Sequence, residues 1–322
     1  MPGAIPSPRY LPTVIRESFP PAPKFTSEDV PDLTGKVIIV TGANAGMGKQ
    51  TAKVLLSRNA KVYMAGRNEA KLSKAIEELK EATGKEGLPL ILDLADLKSV
   101  KKAVEDFTSK EKELHVLFNN AGVMVPSLDD LTAQGYDSQF GTNVLGHFYL
   151  TKLLLPTLLA TAKNPISCPE GKVRVVHTSS IASIMADGVN FETLKDGPER
   201  RKKGEWGLYH QSKLGNVILS NELARRYGDE GLVSTSVNPG AIKTDLLRHT
   251  KWWDKLMIKA VLHPVEYGAL TQLYAGTSED GLKFNGEYLI PWARLGEPNP
   301  VALDKKLGEE LWKWLEEQVV DI

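Results

Sequence analysis

Cysteine is almost absent: Cys168 is the only thiol in 322 residues. The chain therefore has no intrachain disulfide and no cysteine-based zinc site, and a reducing, cytoplasmic compartment is expected. Net charge is missing too. Forty Lys and Arg offset forty Asp and Glu, so no field draws the protein onto a polyanion, and no window has the basic stripe that nucleic-acid binding needs. No uninterrupted apolar run approaches the ~20 residues of a membrane-spanning helix. The N-terminus lacks the basic and apolar regions of a signal peptide, so neither secretion nor integral membrane insertion is expected. The six histidines are scattered, without His-Glu-x-x-His or similar spacing, and no catalytic metal is expected. Proline is concentrated where it is present: eight of nineteen fall within residues 1 to 31. Residues 1–32 are expected to be a Pro-rich extended arm rather than helix, lying along the body or a neighbouring subunit, or a tail without function.

From Gly35 onward short β-branched runs alternate with longer helical patterns, the signature of a parallel sheet with helices on both faces. The expected strands are Lys36–Thr41, Ala60–Ala65, Leu88–Leu92, Leu114–Asn119, Lys172–Thr178, Leu232–Asn238 and Gly286–Ile290. Helical segments lie near Met47–Ser57, Glu69–Ala82, Leu97–Lys110, Gln134–Ala162, Trp206–Tyr227 and Val265–Thr277, and Pro156 is expected to kink or end the fourth. Right-handed crossovers then give one doubly wound seven-stranded parallel sheet in a single α/β domain, residues 33–292. Insertions at about 182–205 and 245–264 are expected near the substrate site, with a helical C-terminal tail at 293–322 in which residues 308–320 form an amphipathic helix.

The strand Val37-Ile-Ile-Val40 runs into Thr41-Gly-Ala-Asn-Ala-Gly-Met-Gly48, and a helical pattern begins at once. Gly42 permits a tight turn, Gly46 lets backbone approach a pyrophosphate, and Gly48 allows close helix–strand packing. The free N–H groups of the helix start meet the phosphates. This is the Rossmann arrangement for a dinucleotide. After the second strand, where NAD sites place an acid, the chain has Ala65-Gly-Arg67-Asn68. A guanidinium suits a 2′-phosphate, so NADP(H) is the expected cofactor ahead of NAD(H), unless Arg67 is an ordinary surface arginine.

Tyr209-His-Gln-Ser-Lys213 lies in an expected helix, with Tyr209 and Lys213 one turn apart on one face. A fixed ammonium stabilises a phenolate and is expected to pull the phenol pKa down from ~10 toward the working range, making Tyr209 a proton donor or acceptor. With Thr41–Gly48, Asn119-Asn-Ala-Gly122 and Tyr209–Lys213 together, the chain resembles the short-chain dehydrogenase/reductase family from about Leu33 to Ile290. Through Ala65-Gly-Arg-Asn68 and Tyr209-His-Gln-Ser-Lys-Leu-Gly-Asn216 it looks closest to the retinol-dehydrogenase-like branch and similar fungal oxidoreductases.

By that resemblance Tyr209 and Lys213 are catalytic, Asn143 holds a water linking the lysine to solvent, and Ser180 hydrogen-bonds the substrate oxygen, with Ser179 the runner-up. Asp93 would accept from the adenine amino group unless it serves only an Asx turn. Asn120 and Gly122 would line the ribose, and Lys213 would also reach its hydroxyls. Pro239, Gly240, Ile242 and Thr244 would fix the nicotinamide carboxamide, unless Thr244 is only a helix cap. Asn44, Met47, Leu94 and Ala121 complete the expected cofactor contacts.

Two departures stand out. Ser180 and Tyr209 are 29 positions apart, a wide spacing for the family, and the extra residues are expected to loop over or beside the pocket. The N-terminal anchor of many retinol dehydrogenases is missing. Trp252–Leu262 reads as a substrate lid, a membrane-surface contact or plain structure. The first functional reading is an oxidoreductase interconverting carbonyl and alcohol on an apolar or aromatic small molecule. An NADP(H)-binding sensor or scaffold without turnover is the alternative. A third reading, retinoid metabolism at a membrane, needs Trp252–Leu262 to contact lipid. The family commonly assembles through the helices bearing Tyr209 and Asn143; homodimer and monomer both stay open.

Overall fold

The β-branched runs pair into one sheet in the computed structural model, which describes residues 10–243 and 262–322. The strands are β1 (Val37–Thr41), β2 (Lys61–Gly66), β3 (Leu88–Ile91), β4 (Val116–Asn119), β5 (Val173–Thr178), β6 (Leu232–Val237), β7 (Tyr288–Ile290) and β8 (Arg294–Gly296). Their spatial order is β3-β2-β1-β4-β5-β6-β7-β8. The first seven are parallel, as expected; β8 returns antiparallel on β7. This eighth strand escaped the sequence pattern because three residues are too few to show alternation, and its register comes from the turn after Ile290.

The helices are α1 (Leu11–Ser18), α2 (Gly46–Ser57), α3 (Glu69–Thr83), α4 (Leu97–Lys110), α5 (Ser138–Ala162), α6 (Pro198–Tyr227), α7 (Val265–Thr277) and α8 (Lys305–Gln318). Local chemistry sets their ends. Asn68 caps α3 through Lys71 N–H, and Gly84 ends it in the left-handed region. Asp96 caps α4 and Asp304 caps α8. Pro156 stays inside α5 rather than ending it. By length and apolarity α5 would cross a membrane, yet 67% of its most apolar window is buried inside the protein; it is the central core helix. Helix α6 carries a break at Gly204 (φ 71°) before the part that bears Tyr209 and Lys213.

Helix α1 takes up Leu11–Ser18 of the segment expected to be an extended arm. Pro12 sits in its first turn, where a missing N–H costs nothing, so a proline there starts a helix instead of preventing one. The helix buries Glu17 and leaves Leu11, Ile15 and Phe19 exposed.

Two clusters fill the faces of the sheet. Ile38, Val40, Phe118, Val176 and Val237 point to one, with residues of α2, α3 and α7. Val37, Ile39, Leu117, Val175 and Ile290 point to the other, with residues of α4, α5, α6 and α8. Strand order reverses between β1 and β4, which opens a crevice at their C-terminal ends. Beside it, residues 182–205 are anchored by Arg200, which is buried and pairs with the buried Asp137 at 2.9 Å. The same guanidinium donates to the carbonyls of Leu128 (2.6 Å) and Asp130 (3.0 Å), so the buried charge is paired and hydrogen-bonded. Asp137 in turn caps α5.

Candidate active site

One cleft of about 440 Å³ lies at the strand-order reversal. Around it stand Gly42, Asn44, Gly46, Met47, Gly48, Arg67, Asp93, Leu94, Asn120, Ala121, Gly122, Ser180, Tyr209, Lys213, Pro239, Gly240 and Ile242. Asn143 lies behind it, fully buried. Thr244 and residues 252–261 of the expected lid lie outside the described residues.

The glycine turn is shaped by steric need. Gly42 and Gly46 have φ of 69° and 54°, which L side chains rarely adopt. A Cβ on Gly48 would lie 2.5 Å from Gly42 O. Helix α2 then starts at the cleft with Ala45 as its N-cap and no side-chain cap, whereas α3, α4 and α8 each have one. Its first-turn N–H groups therefore meet no side-chain acceptor, the condition for holding an anion. At the far end, Arg67 and Lys71 are exposed on the cleft, and their side chains have no ion-pair or hydrogen-bond partner among the described residues. Lys71 was missed in the sequence; Asn68, the cap that sets its place in the first turn of α3, was the available signal. Asp93 closes an Asx turn onto Ala95 N–H (3.0 Å) while lining the cleft.

At the other end Ser180 and Tyr209 line the cleft together, the serine hydroxyl near enough to lower the phenol pKa, and Lys213 Nζ lies 5.8 Å from the Tyr209 ring centroid. Lys213 donates to Thr178 O (3.0 Å). Ser179 is buried and gives its hydroxyl to Lys213 O (2.7 Å), which leaves Ser180 as the serine beside the phenol. Asn143 sits in a π-turn, Gly141–Leu145, inside α5. Its side chain clamps Val123, accepting from N–H (2.8 Å) and donating to C=O (3.0 Å), and also donates to Ser212 Oγ.

The phenol pKa moves opposite to the sequence expectation. Burial pushes Tyr209 up to about 12, against a smaller lowering by Ser180, and burial pulls Lys213 down to about 8. Desolvation outweighs the neighbouring ammonium because both groups are enclosed and Lys213 is turned toward Thr178 O.

The short chain dehydrogenase family model matches residues 36–190. A short-chain dehydrogenase/reductase of Armillaria gallica is 54% identical over 309 residues, spanning 96% of this chain and 98% of that protein. The chain belongs to the short-chain dehydrogenase/reductase family. A solved protein from Mycobacterium paratuberculosis is 30% identical, with a TM-score of 0.68 over 91% of this chain and 96% of that one. A short chain dehydrogenase from Shigella flexneri, complexed with NADP, shares the fold at 24% identity, with a TM-score of 0.61 over 80% of this chain and 97% of that one.

In this dehydrogenase/reductase the sequence reading missed two features. His147, one turn after Asn143, places Nδ1 3.0 Å from Asn143 O and Nε2 3.0 Å from Thr41 Oγ1. A carbonyl only accepts, so Nδ1 carries the proton. Burial holds the ring neutral, with its pKa pulled down to about 4, so Nε2 accepts from the Thr41 hydroxyl. Thr41 Oγ1 in turn accepts from Asn120 N–H and Ala121 N–H, both at 2.9 Å. One imidazole thus ties Asn143 to the glycine-turn strand, and the Asn143 carbonyl already has a side-chain donor. The i, i+4 spacing of Asn143 and His147 was the available signal. The second feature is an apolar wall at the phenol: Met124, Val125, Ala182 and Tyr209 form a small cluster with Trp206 packed against it.

Proposed function

We propose that this protein is an NADP(H)-dependent oxidoreductase that reduces the carbonyl of an apolar or aromatic small molecule to an alcohol. The observation that carries the proposal is the convergence of Ser180, Tyr209 and Lys213 on one cleft, with the Lys213 ammonium 5.8 Å from the phenol ring centroid. The residues present suit the dinucleotide. The uncapped start of α2 would take the pyrophosphate, and Arg67 with Lys71 would take a 2′-phosphate. The fold neighbour from Shigella flexneri was solved with NADP.

Bound NADPH supplies the hydride. Ser180 Oγ orients the carbonyl oxygen, and Tyr209 gives it a proton. A phenol held near 12 keeps its proton at neutral pH, which suits it to the acid role in reduction. Lys213, held by Thr178 O, stabilises the phenolate left behind. Met124, Val125, Ala182 and Trp206 supply the apolar surface that favours a hydrocarbon-rich substrate and excludes water beside the transferring proton.

The test is NADPH and NADH oxidation with a panel of aromatic, aliphatic and terpenoid aldehydes and ketones. Turnover with NADPH is expected to fall by about 10²- to 10⁴-fold in Tyr209→Phe, and Arg67→Ala is expected to narrow the preference for NADPH over NADH. NADPH binding without turnover in either direction across the panel would overturn the reading.

A further inference from the structure

We infer that the N-terminal helix is part of the cofactor site, through a buried carboxylate that sets the orientation of the turn at Pro239 and Gly240. The inference rests on the proposed NADP(H) reading for the identity of the ligand, though the latch itself is a property of the chain.

Glu17 is 2% exposed on an eight-residue surface helix near the chain start, where a carboxylate normally faces water. It is buried because it reaches the C-terminal end of β6. There Glu17 Oε2 accepts from Asn238 Nδ2 at 2.8 Å, across 221 positions of sequence. Asn238 is 1% exposed, and its backbone is fixed by its own N–H donating to Leu289 O (2.7 Å). Its other amide atom, Oδ1, accepts from Gly240 N–H at 3.0 Å. A second tie runs beside the first: His263 Nε2 lies 3.0 Å from Ser18 O, a carbonyl that can only accept.

The chemistry gives this chain of contacts a direction. A side-chain amide offers a donor on one side and an acceptor on the other, and the two are nearly equal in shape. A carboxylate accepts only. Glu17 therefore selects the orientation that places Nδ2 toward itself and turns Oδ1 to the Gly240 amide. With the amide flipped, an oxygen would face the carboxylate and an NH2 would face a backbone N–H, two unfavourable contacts in a buried place. Gly240 needs that anchor. Its φ is +86°, in the left-handed region, and a Cβ there would lie 3.1 Å from Pro291 Cγ, so the turn sits tightly against the strand end. Pro239 and Gly240 line the cleft on the side of Ser180 and Tyr209. Glu17 is thus a positioning residue: it touches no ligand and acts through Asn238 on the turn that does.

The Pro-rich start of the chain then has a function that its composition did not suggest. Helix α1 reaches the C-terminal end of β6, and its single buried side chain is the one bonded to Asn238, the residue that anchors the turn.

The experiment compares full-length wild type, Glu17→Leu, Glu17→Gln and Glu17→Asp. Two quantities are read without turnover: the NADPH dissociation constant from fluorescence titration, and amide hydrogen exchange of the peptide spanning residues 238–243 in the free protein. Steady-state kinetics follow on the same samples. Glu17→Leu is expected to weaken NADPH about tenfold, the size of one lost buried hydrogen bond, and to speed exchange at Gly240. Glu17→Gln keeps an acceptor for Asn238 and is expected to stay within about twofold of wild type. Glu17→Asp keeps the charge but shortens the reach by one methylene. It is expected to behave as Glu17→Leu does, and decides the matter if the leucine variant does not fold. A leucine or aspartate variant that loses thermal stability while its NADPH affinity and exchange at 238–243 match wild type overturns the latch. Wild-type protein that binds no NADPH overturns the proposed function instead, and in that case the exchange measurement alone judges the latch.

Discussion

The two faces of the sheet solve the same packing problem with different chemistry. On the face toward α2 and α7 apolar packing predominates, with Val40, Phe118, Val176 and Val237 all buried, although Thr178 at the end of β5 gives its hydroxyl to Gln272 Oε1 of α7 (3.1 Å). On the face toward α5 and α6, Ile39, Leu117 and Val175 give way one step later to a polar row. Asn119, His177, Ser236 and Tyr288 are register neighbours across four strands, and Thr41 ends β1 beside them. Apolar packing is close but has no preferred register beyond shape; hydrogen bonds have direction. The helices on the polar side carry Asn143, Tyr209 and Lys213, whose relative placement the proposed reaction needs. Asn119 Nδ2 donates to Thr151 Oγ1 of α5 (2.9 Å), Asn216 of α6 donates to Thr178 O (3.1 Å), and His147 joins α5 to Thr41. The difference teaches that one face is held mainly by apolar packing, while the other adds the row of directional contacts that orients the candidate site.

The comparison breaks most clearly if packing and alignment fail to separate. Leu273 is fully buried on the apolar face, so Leu273→Ala is expected to cost about 2–5 kcal/mol of stability. Its kcat, measured on folded enzyme, is expected to stay within about twofold of wild type, since no directional contact to the site is lost. A kcat loss of tenfold or more in that variant would show that the apolar face also aligns the chemistry.

His147→Leu is expected to show the reverse balance. It leaves Asn143 O without its side-chain donor and leaves the Thr41 hydroxyl only the carbonyl of Phe118 (3.2 Å) as acceptor, a stability cost of about 1–3 kcal/mol, while kcat is expected to fall about tenfold. Thr41→Val should follow it, and Thr41→Ser, which keeps the hydroxyl, should return close to wild type. Equal kcat for His147→Leu and Leu273→Ala would remove the distinction between the two faces.

The residues that sequence reading placed are those whose partners are close in the chain. Gly42, Gly46 and Gly48 follow from one turn, Tyr209 and Lys213 from one helical repeat, and the seven parallel strands from β-branched runs. The features left unread join distant segments or depend on enclosure. Thr41 and His147 are 106 positions apart, and Glu17 and Asn238 are 221 apart; no local period records either pair. Helix α1 was hidden because proline is a breaker inside a helix and a starter at its first turn, and composition does not separate the two. The rise of the Tyr209 pKa was hidden because the i, i+4 lysine is visible in the sequence and burial is not.

The smallest expected effect concerns acid, and it again divides the faces. His147 and His177, both under the site, are held by burial at about 4 and about 3, and His210 beside Trp206 at about 4. His115, at the opposite end of the sheet, shifts the same way. Each of these folded-state values lies below the ~6.5 of an unfolded histidine. Between the two values the unfolded chain binds the proton and the folded chain does not, so stability is fully present above about pH 6.5 and is lost as pH falls toward 4. Each histidine contributes at most about 1.4 kcal/mol per pH unit in that window. His177 is the most informative to remove, because among the described residues its Nε2 has no hydrogen-bond partner and its Nδ1 has only a long contact, 3.4 Å, from Asn119. Replacing it by leucine therefore costs little in bonding and deletes one titrating group. Urea unfolding at about pH 7 and about pH 5 is expected to show a smaller acid loss in His177→Leu than in wild type, while Leu273→Ala keeps the wild-type difference. An unchanged acid loss in His177→Leu would mean that the polar row is not where the protons enter.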